Sequence, residues 1–183
     1  MSGFVIGVGL IGCGMIGHGH AYALRLLADD RLIRPVVAAD LSPDAIEAAR
    51  RICSFERVTT DAHAVINDPD VEAVAIVTPT TTHREFVLAT LAAGKPMLCE
   101  KPLATSIDVV REMCDAVGAS SVTAQVGFHS RFHPLMNELV RLVHSNELGA
   151  PMGYTLRDDQ YWPTGDIVPG HIRRGRRDRP GDD

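Results

Sequence analysis

The chain has 183 residues, enough for one full domain and the beginning of a second. It is 45% hydrophobic and 22% charged, the make-up of an ordinary globular protein with a sizeable core. A net charge of −5 argues against a general nucleic-acid binder, and no run of about 18 apolar residues offers a membrane span.

Short apolar runs alternate with longer amphipathic ones, as in parallel βαβ units. The first run, residues 5–11, reads as a buried strand. It lacks the basic lead of a secretory leader, and its glycines suit a tight turn better. The run enters Gly12-Cys13-Gly14-Met15-Ile16-Gly17, at the start of a helix. Gly12 permits the turn, Gly14 lets backbone approach a pyrophosphate, and Gly17 allows close helix packing. The helix N-terminus adds free N–H groups and the positive end of its dipole. These glycines, with Met15 and Ile16, are the first cofactor-binding candidates. His18 and His20 follow, but no carboxylate or cysteine is spaced to complete a metal site, so no metal is expected.

The second strand, 36–39, ends at Asp40, near the spacing of a carboxylate that bridges ribose hydroxyls. That charge would repel a 2′-phosphate, and no basic residue follows in Leu41-Ser42-Pro43. NAD is therefore favoured over NADP. The plainer alternative is that Asp40 merely starts a turn. A methyltransferase using S-adenosylmethionine shares a glycine-rich turn and an acid, but the third glycine disfavours it.

Ser42 caps the next helix, with Pro43 at its first position. A strand over 73–77 precedes Thr82-x-x-Glu85, a capping box for a helix that stops at Gly94. Strand 97–99, a helix from Thr105-x-x-Asp108 to Gly118, and strand 122–126 complete the pattern. Beyond residue 130 the texture changes. Residues 134–145 form a helix with a wide apolar stripe, and 152–156 alternate like a half-buried antiparallel strand. The expected fold class is α/β: a Rossmann-type doubly wound parallel sheet over 1–128, then the first helix and strand of an incomplete α+β domain over 129–170. Cys13, Cys53, Cys99 and Cys114 fall at no disulfide or metal spacing. They are expected to be reduced and buried in a cytoplasmic protein.

The segment AIVTPTTTHREF sets Thr78-Pro79 at a strand end and His83 in the following helix; Cys99-Glu100-Lys101-Pro102-Leu103 follows the next strand. Together with GLIGCGMIGHGHA and GFHSRFHP, this closely resembles the Gfo/Idh/MocA family of NAD(P)-dependent oxidoreductases over roughly residues 4–170. The resemblance implies a Rossmann domain followed by an α/β domain on a large, mostly antiparallel sheet. It implies an oxidoreductase acting on CH–OH groups, with hydride transfer between NAD(P) and a hydroxyl of a sugar, cyclitol or related polyol. On that resemblance Gly12, Gly14 and Gly17 form the pyrophosphate loop and Asp40 the ribose anchor. Thr78, Pro79 and His83 line the cofactor groove, and Glu100 and Lys101 lie near the nicotinamide ribose.

Lys101 is also the catalytic candidate, since an amine reaching the substrate hydroxyl can stabilise developing alkoxide charge. Its plainer alternative is a solvated surface lysine. Pro102 is expected to be cis. His20 fits the family's GxGxxGxxH start, with a packing or helix-entry role. His129 stands where relatives often carry Asn, Arg131 is expected to form a structural ion pair, and Asp158, Asp159 and Gln160 approach the substrate pocket.

One family motif, GG-x-x-x-D-x-x-x-H, finds no match: Asp166 and His171 are five apart and no glycine pair precedes them. General acid–base catalysis contributes roughly 10²–10⁴-fold, so truncation is expected to impair turnover. Strand 152–162 would lack sheet partners, which favours homo-oligomers through this incomplete region. Residues 171–183 hold five arginines and three aspartates and are expected to be disordered. Arginine outnumbers lysine 11 to 2 before residue 171, as in a GC-rich gene, so this tail reads as frameshift product. Two other readings stand beside the oxidoreductase. One is a stand-alone dinucleotide-binding module, acting as a sensor or a subunit completed by a partner. The other is a basic-tailed nucleic-acid binder, which the aspartates weaken. The expected partner is a small polyol or sugar substrate, with neither nucleic acid nor membrane.

Overall fold

Runs of Val, Ile and Ala too short for helices are buried on both faces here, which is the pattern of parallel strands covered by helices. The computed structural model describes residues 5–147, 149, 150, 152, 153 and 155. Strands β1 (Ile6–Ile11), β2 (Ile33–Ala39), β3 (Arg57–Thr59), β4 (Ala73–Ile76), β5 (Met97–Cys99) and β6 (Ala124–Val126) form one sheet in the order β3-β2-β1-β4-β5-β6. All five pairings are parallel. The order reverses between β1 and β4, so a crevice opens at the carboxyl ends of these two strands.

Helices α1 (Met15–Asp29), α2 (Pro43–Ile52), α3 (Ala62–Asn67), α4 (Thr80–Ala92) and α5 (Ile107–Gly118) link the strands. The two-residue period of the strands divides the core. Leu10, Ala38 and Ala75 pack with Ala21, Leu24 and Ile46 of α1 and α2. Ile11, Ala39 and Ile76 pack with Val65, Ile66 and Val87 of α3 and α4. The expected α/β doubly wound sheet is thus the observed one.

Local chemistry sets most element ends. The Ser42 hydroxyl accepts from Ala45 N at 3.3 Å, with Pro43 at the first helical position. Gly94, at φ 69°, stops α4 in the left-handed region. Several boundaries differ from the sequence reading. Helix α4 begins at Thr80 after Pro79, so Thr82 lies inside the first turn and makes no capping box. Its hydroxyl instead lies 2.8 Å from both Thr78 Oγ1 and the Pro79 carbonyl. Ser106, not Thr105, precedes α5. Strand β3 and helix α3 went unread. Three residues are too few to show a period, and α3 is a six-residue helix held by Asp61 accepting from His63 N at 2.8 Å.

The chain divides into two units between His133 and Pro134. In the second, α6 (Pro134–Ser145) forms where its apolar stripe predicts. Of the alternating run 152–156, Met152, Gly153 and Thr155 carry no strand; the rest of 152–162, with Asp158, Asp159, Gln160, Asp166 and the 171–183 tail, lies outside the described residues.

The cysteines need one correction. Cys13, Cys53 and Cys99 are buried, but Cys114 is exposed on α5; all four are free thiols. Burial first, and the nearby Asp40 charge second, push the Cys13 thiol up to about 12. Burial first and the Glu100 charge second do the same at Cys99, also to about 12, and burial raises Cys53 to about 11. In native protein near neutral pH, iodoacetamide is expected to modify Cys114 fast and the others only after unfolding, as peptide mass spectrometry would show. Raised folded values also fix a sign. Their contribution to stability is complete below the ordinary thiol value of 9.0 and is lost as pH climbs toward the folded values. Urea midpoints should therefore fall between about pH 9 and 12.

Candidate nucleotide site

The site grows from the end of β1. Gly12 leaves the strand at φ 99°, and a Cβ there would stand 2.5 Å from the Val77 carbonyl oxygen. Any side chain would be strained twice over, by conformation and by contact. A Cβ at Gly17 would stand 2.3 Å from the Gly12 oxygen, so α1 can approach the turn only as glycine. Gly14 differs from both. It has an ordinary φ of −70° at the helix N-cap, and a Cβ would meet nothing within 4 Å. Only the open crevice lies beside it. Gly14 offers no side chain to cap α1, and no acidic residue occupies the first turn. First-turn amides, including those of Met15 and Ile16, therefore keep donors and positive dipole for an anion.

Asp40 stands next to this loop. Its Oδ2 accepts from Cys13 N at 2.8 Å and its Oδ1 from Ser42 N at 2.9 Å. The carboxylate thus both starts a turn and is locked beside the glycine loop, so the two readings of Asp40 are compatible. Each oxygen retains a lone pair for an outside donor.

On the other side of the crevice, Thr78 and Pro79 follow β4 and Glu100-Lys101-Pro102 follows β5. Glu100 is 9% exposed. Its Oε1 lies 3.0 Å from His20 Nε2 on α1, and its Oε2 accepts from Lys101 N at 3.0 Å. A Cβ at Gly127 would sit 2.8 Å from Glu100 Oε1, so a larger residue after β6 would displace that carboxylate. The Lys101–Pro102 peptide is cis, as expected. The Lys101 side chain is exposed, and its amine has no ion-pair partner among the described residues.

His83 is buried, with 1% exposure, and both ring nitrogens face backbone carbonyls. Met15, Ile16, His20, Glu100, His129 and Phe132 share the lining of a cavity of about 450 Å³ within the first unit. Arg131 forms no ion pair among the described residues.

The His20–Glu100 pair and the space reserved at Gly127 were not read from sequence. Eighty residues separate the pair, and no local spacing links them. Among the described residues no cluster of three His, Cys, Asp or Glu could hold a metal, and no helix is long and apolar enough to cross a membrane.

A glycine turn at the sheet's reversal point, an amide-rich helix start and a locked carboxylate ending the second strand define a dinucleotide-binding Rossmann domain. Residues 6–128 match the Gfo/Idh/MocA oxidoreductase family, described by its NAD-binding Rossmann fold. The chain belongs to that family.

It is 36% identical over 143 residues to inositol 2-dehydrogenase 2 of Saccharopolyspora erythraea, covering 78% of this chain and 42% of that protein. It is 34% identical over 155 residues to levoglucosan dehydrogenase of Pseudarthrobacter phenanthrenivorans, covering 81% of this chain and 40% of that protein. A solved levoglucosan dehydrogenase in complex with NADH and levoglucosan superposes with a TM-score of 0.74 at 34% identity, over 80% of this chain and 41% of that one. The chain thus spans about two fifths of the length of these relatives.

Gly14 and Gly17 separate by experiment. Gly14→Ala should cost no more than about 1 kcal/mol of stability, the usual loss at an N-cap, while the added methyl enters the crevice and weakens NADH binding at least tenfold. Gly17→Ala should lose both, because its methyl meets protein backbone. Calorimetric unfolding and NADH fluorescence titration of each variant check the contrast.

Proposed function

We propose that this chain binds NAD at the carboxyl ends of β1 and β4 and supplies the cofactor half of a dehydrogenase acting on a hydroxyl of a sugar, cyclitol or related polyol. The observation that carries this reading is Asp40, fixed by the Cys13 and Ser42 amides beside a glycine turn that leaves the helix start uncapped. Gly12, Gly14 and Gly17, with the Met15 and Ile16 amides, hold the pyrophosphate; Asp40 takes the adenosine ribose hydroxyls. Thr78 and Pro79 form the groove floor, with His83 beneath it. Glu100 and Lys101 attend the nicotinamide ribose. NAD supplies the hydride acceptor when bound.

The contribution of Lys101 is electrostatic. Its exposed amine meets the substrate oxygen and stabilises its alkoxide charge, which is greatest before hydride leaves the adjacent carbon or, in the reverse direction, after hydride has reached the carbonyl carbon. Glu100 contributes by orientation, since its carboxylate is bound to the lysine's own backbone amide. The relatives named for inositol and levoglucosan support the polyol or sugar class. Homo-oligomerisation through residues 129–170 belongs to the same reading, and exposed Leu135, Leu139 and Val140 on α6 support it. A cytoplasmic setting agrees with four unpaired thiols.

Fluorescence titration tests the cofactor reading. NADH should bind at least tenfold more tightly than NADPH, a difference of about 1.4 kcal/mol or more. Asp40→Ser should narrow that ratio by weakening NADH and relieving repulsion of the 2′-phosphate. Equal affinity for both nucleotides in wild type would remove the argument for NAD.

A further inference from the structure

His83 sits in the first turn of α4 and shares its buried face with Val87 and Thr90. Its ring, 1% exposed, leaves no surface for a ligand in the groove to touch. The contacts it does make are to backbone carbonyls at two places. Nε2 lies 2.9 Å from the Thr78 carbonyl oxygen, at the end of β4. Nδ1 lies 3.0 Å from the Pro102 oxygen and 3.3 Å from the Leu103 oxygen, in the loop after β5. Carbonyl oxygens only accept. A neutral imidazole carries one N–H and serves one side; the imidazolium serves both.

Other bonds hold the same loop. Glu100 N donates to the Ile76 oxygen at 2.9 Å, and Lys101 N donates to its neighbour's carboxylate. These secure the residues before the lysine. Among the described residues His83 alone ties down the carbonyl that follows it, that of Pro102.

We propose that His83 is a positioning residue: it braces the end of β4 against the loop carrying Lys101, setting the lysine amine in register with the groove at Thr78. This rests on the reading of Lys101 and Thr78 as parts of the cofactor groove, and it gives the ring a task other than contact with the nucleotide. Removing the ring nitrogens takes away the groups that face the Thr78 and Pro102 carbonyls and frees the loop to shift. The effect falls on Lys101 while the rest of the sheet keeps its packing.

The chain contains only two lysines, which makes the test specific. Lys95 donates from Nζ to the Asp68 carbonyl at 2.7 Å and serves as an internal reference. Reductive ¹³C-methylation of the full chain gives each lysine its own NMR resonance. His83→Phe keeps a flat ring and removes both ring nitrogens; His83→Gln keeps one donor nitrogen. The Lys101 resonance should move in both variants, further in H83F, while that of Lys95 stays in place. NADH affinity should fall about tenfold in H83F and less in H83Q.

If H83F fails to fold, shown by loss of the Lys95 position, H83Q carries the decision. A folded variant whose Lys101 resonance coincides with wild type would overturn the proposal. Should wild type bind no NADH, the cofactor reading fails by itself, and the lysine resonances still decide the brace.

Discussion

The site depends on how closely Gly12 passes the end of β4. With 2.5 Å between a hypothetical Cβ and the Val77 oxygen, backbone meets backbone at the one place where the sheet reverses its order. That contact sets where α1 starts, and Gly17 then lets α1 lie against the same turn. Three consequences follow from one approach. The helix amides face the crevice, Cys13 N is presented to Asp40, and His20 is carried across to Glu100. A methyl group at either glycine would disturb all three together.

Carboxylates on the two wings of the crevice are used alike. Asp40 and Glu100 each spend an oxygen on a backbone amide of the loop they organise, Cys13 in one case and Lys101 in the other. A charged acceptor makes a stronger hydrogen bond than a neutral one and fixes a loop without apolar packing. Their settings diverge after that. Asp40 has its second oxygen on Ser42 N near solvent, whereas Glu100 is buried and paired with His20. Asp40 is therefore the one that can still receive outside donors, and Glu100 is the one committed to holding the lysine loop.

This division marks what sequence could and could not convey. Residues whose role is local were legible. Gly12, Gly14 and Gly17 act within six residues of one another, Asp40 ends a strand, and Ser42-Pro43 caps a helix. Strand β5 is where a three-residue apolar run placed it, because Gly94 and the Glu100-Lys101-Pro102 motif bracket it. Strand β3 offered no such bracket and only Val58 as an apolar residue, so its pairing with β2 came from the sheet edge available to it. Thr82 misled because its spacing to Glu85 fits a capping box, yet Pro79 had already started the helix. His20 and His83 were legible as residues but not as contacts, since their partners lie 80 and 19 positions away. Exposed Cys114 shows the same limit: composition predicts buried thiols in general but not the face of α5.

The two lysines show what the arrangement achieves. Lys95 is held through its side chain, bonded to the Asp68 carbonyl; burial lowers its proton affinity and the Asp68 charge only partly offsets this. Lys101 is the reverse case. Its backbone is fixed by the Glu100 carboxylate before it and the His83 ring after it, while its side chain stays exposed and without an ion-pair partner among the described residues. A lysine restrained by its amine is occupied. One restrained by its backbone leaves the amine available to an incoming group, and the entropy of ordering is confined to one side chain. For the role proposed for Lys101, meeting an oxygen as it becomes negative, that is the more effective arrangement, because no existing ion pair has to break.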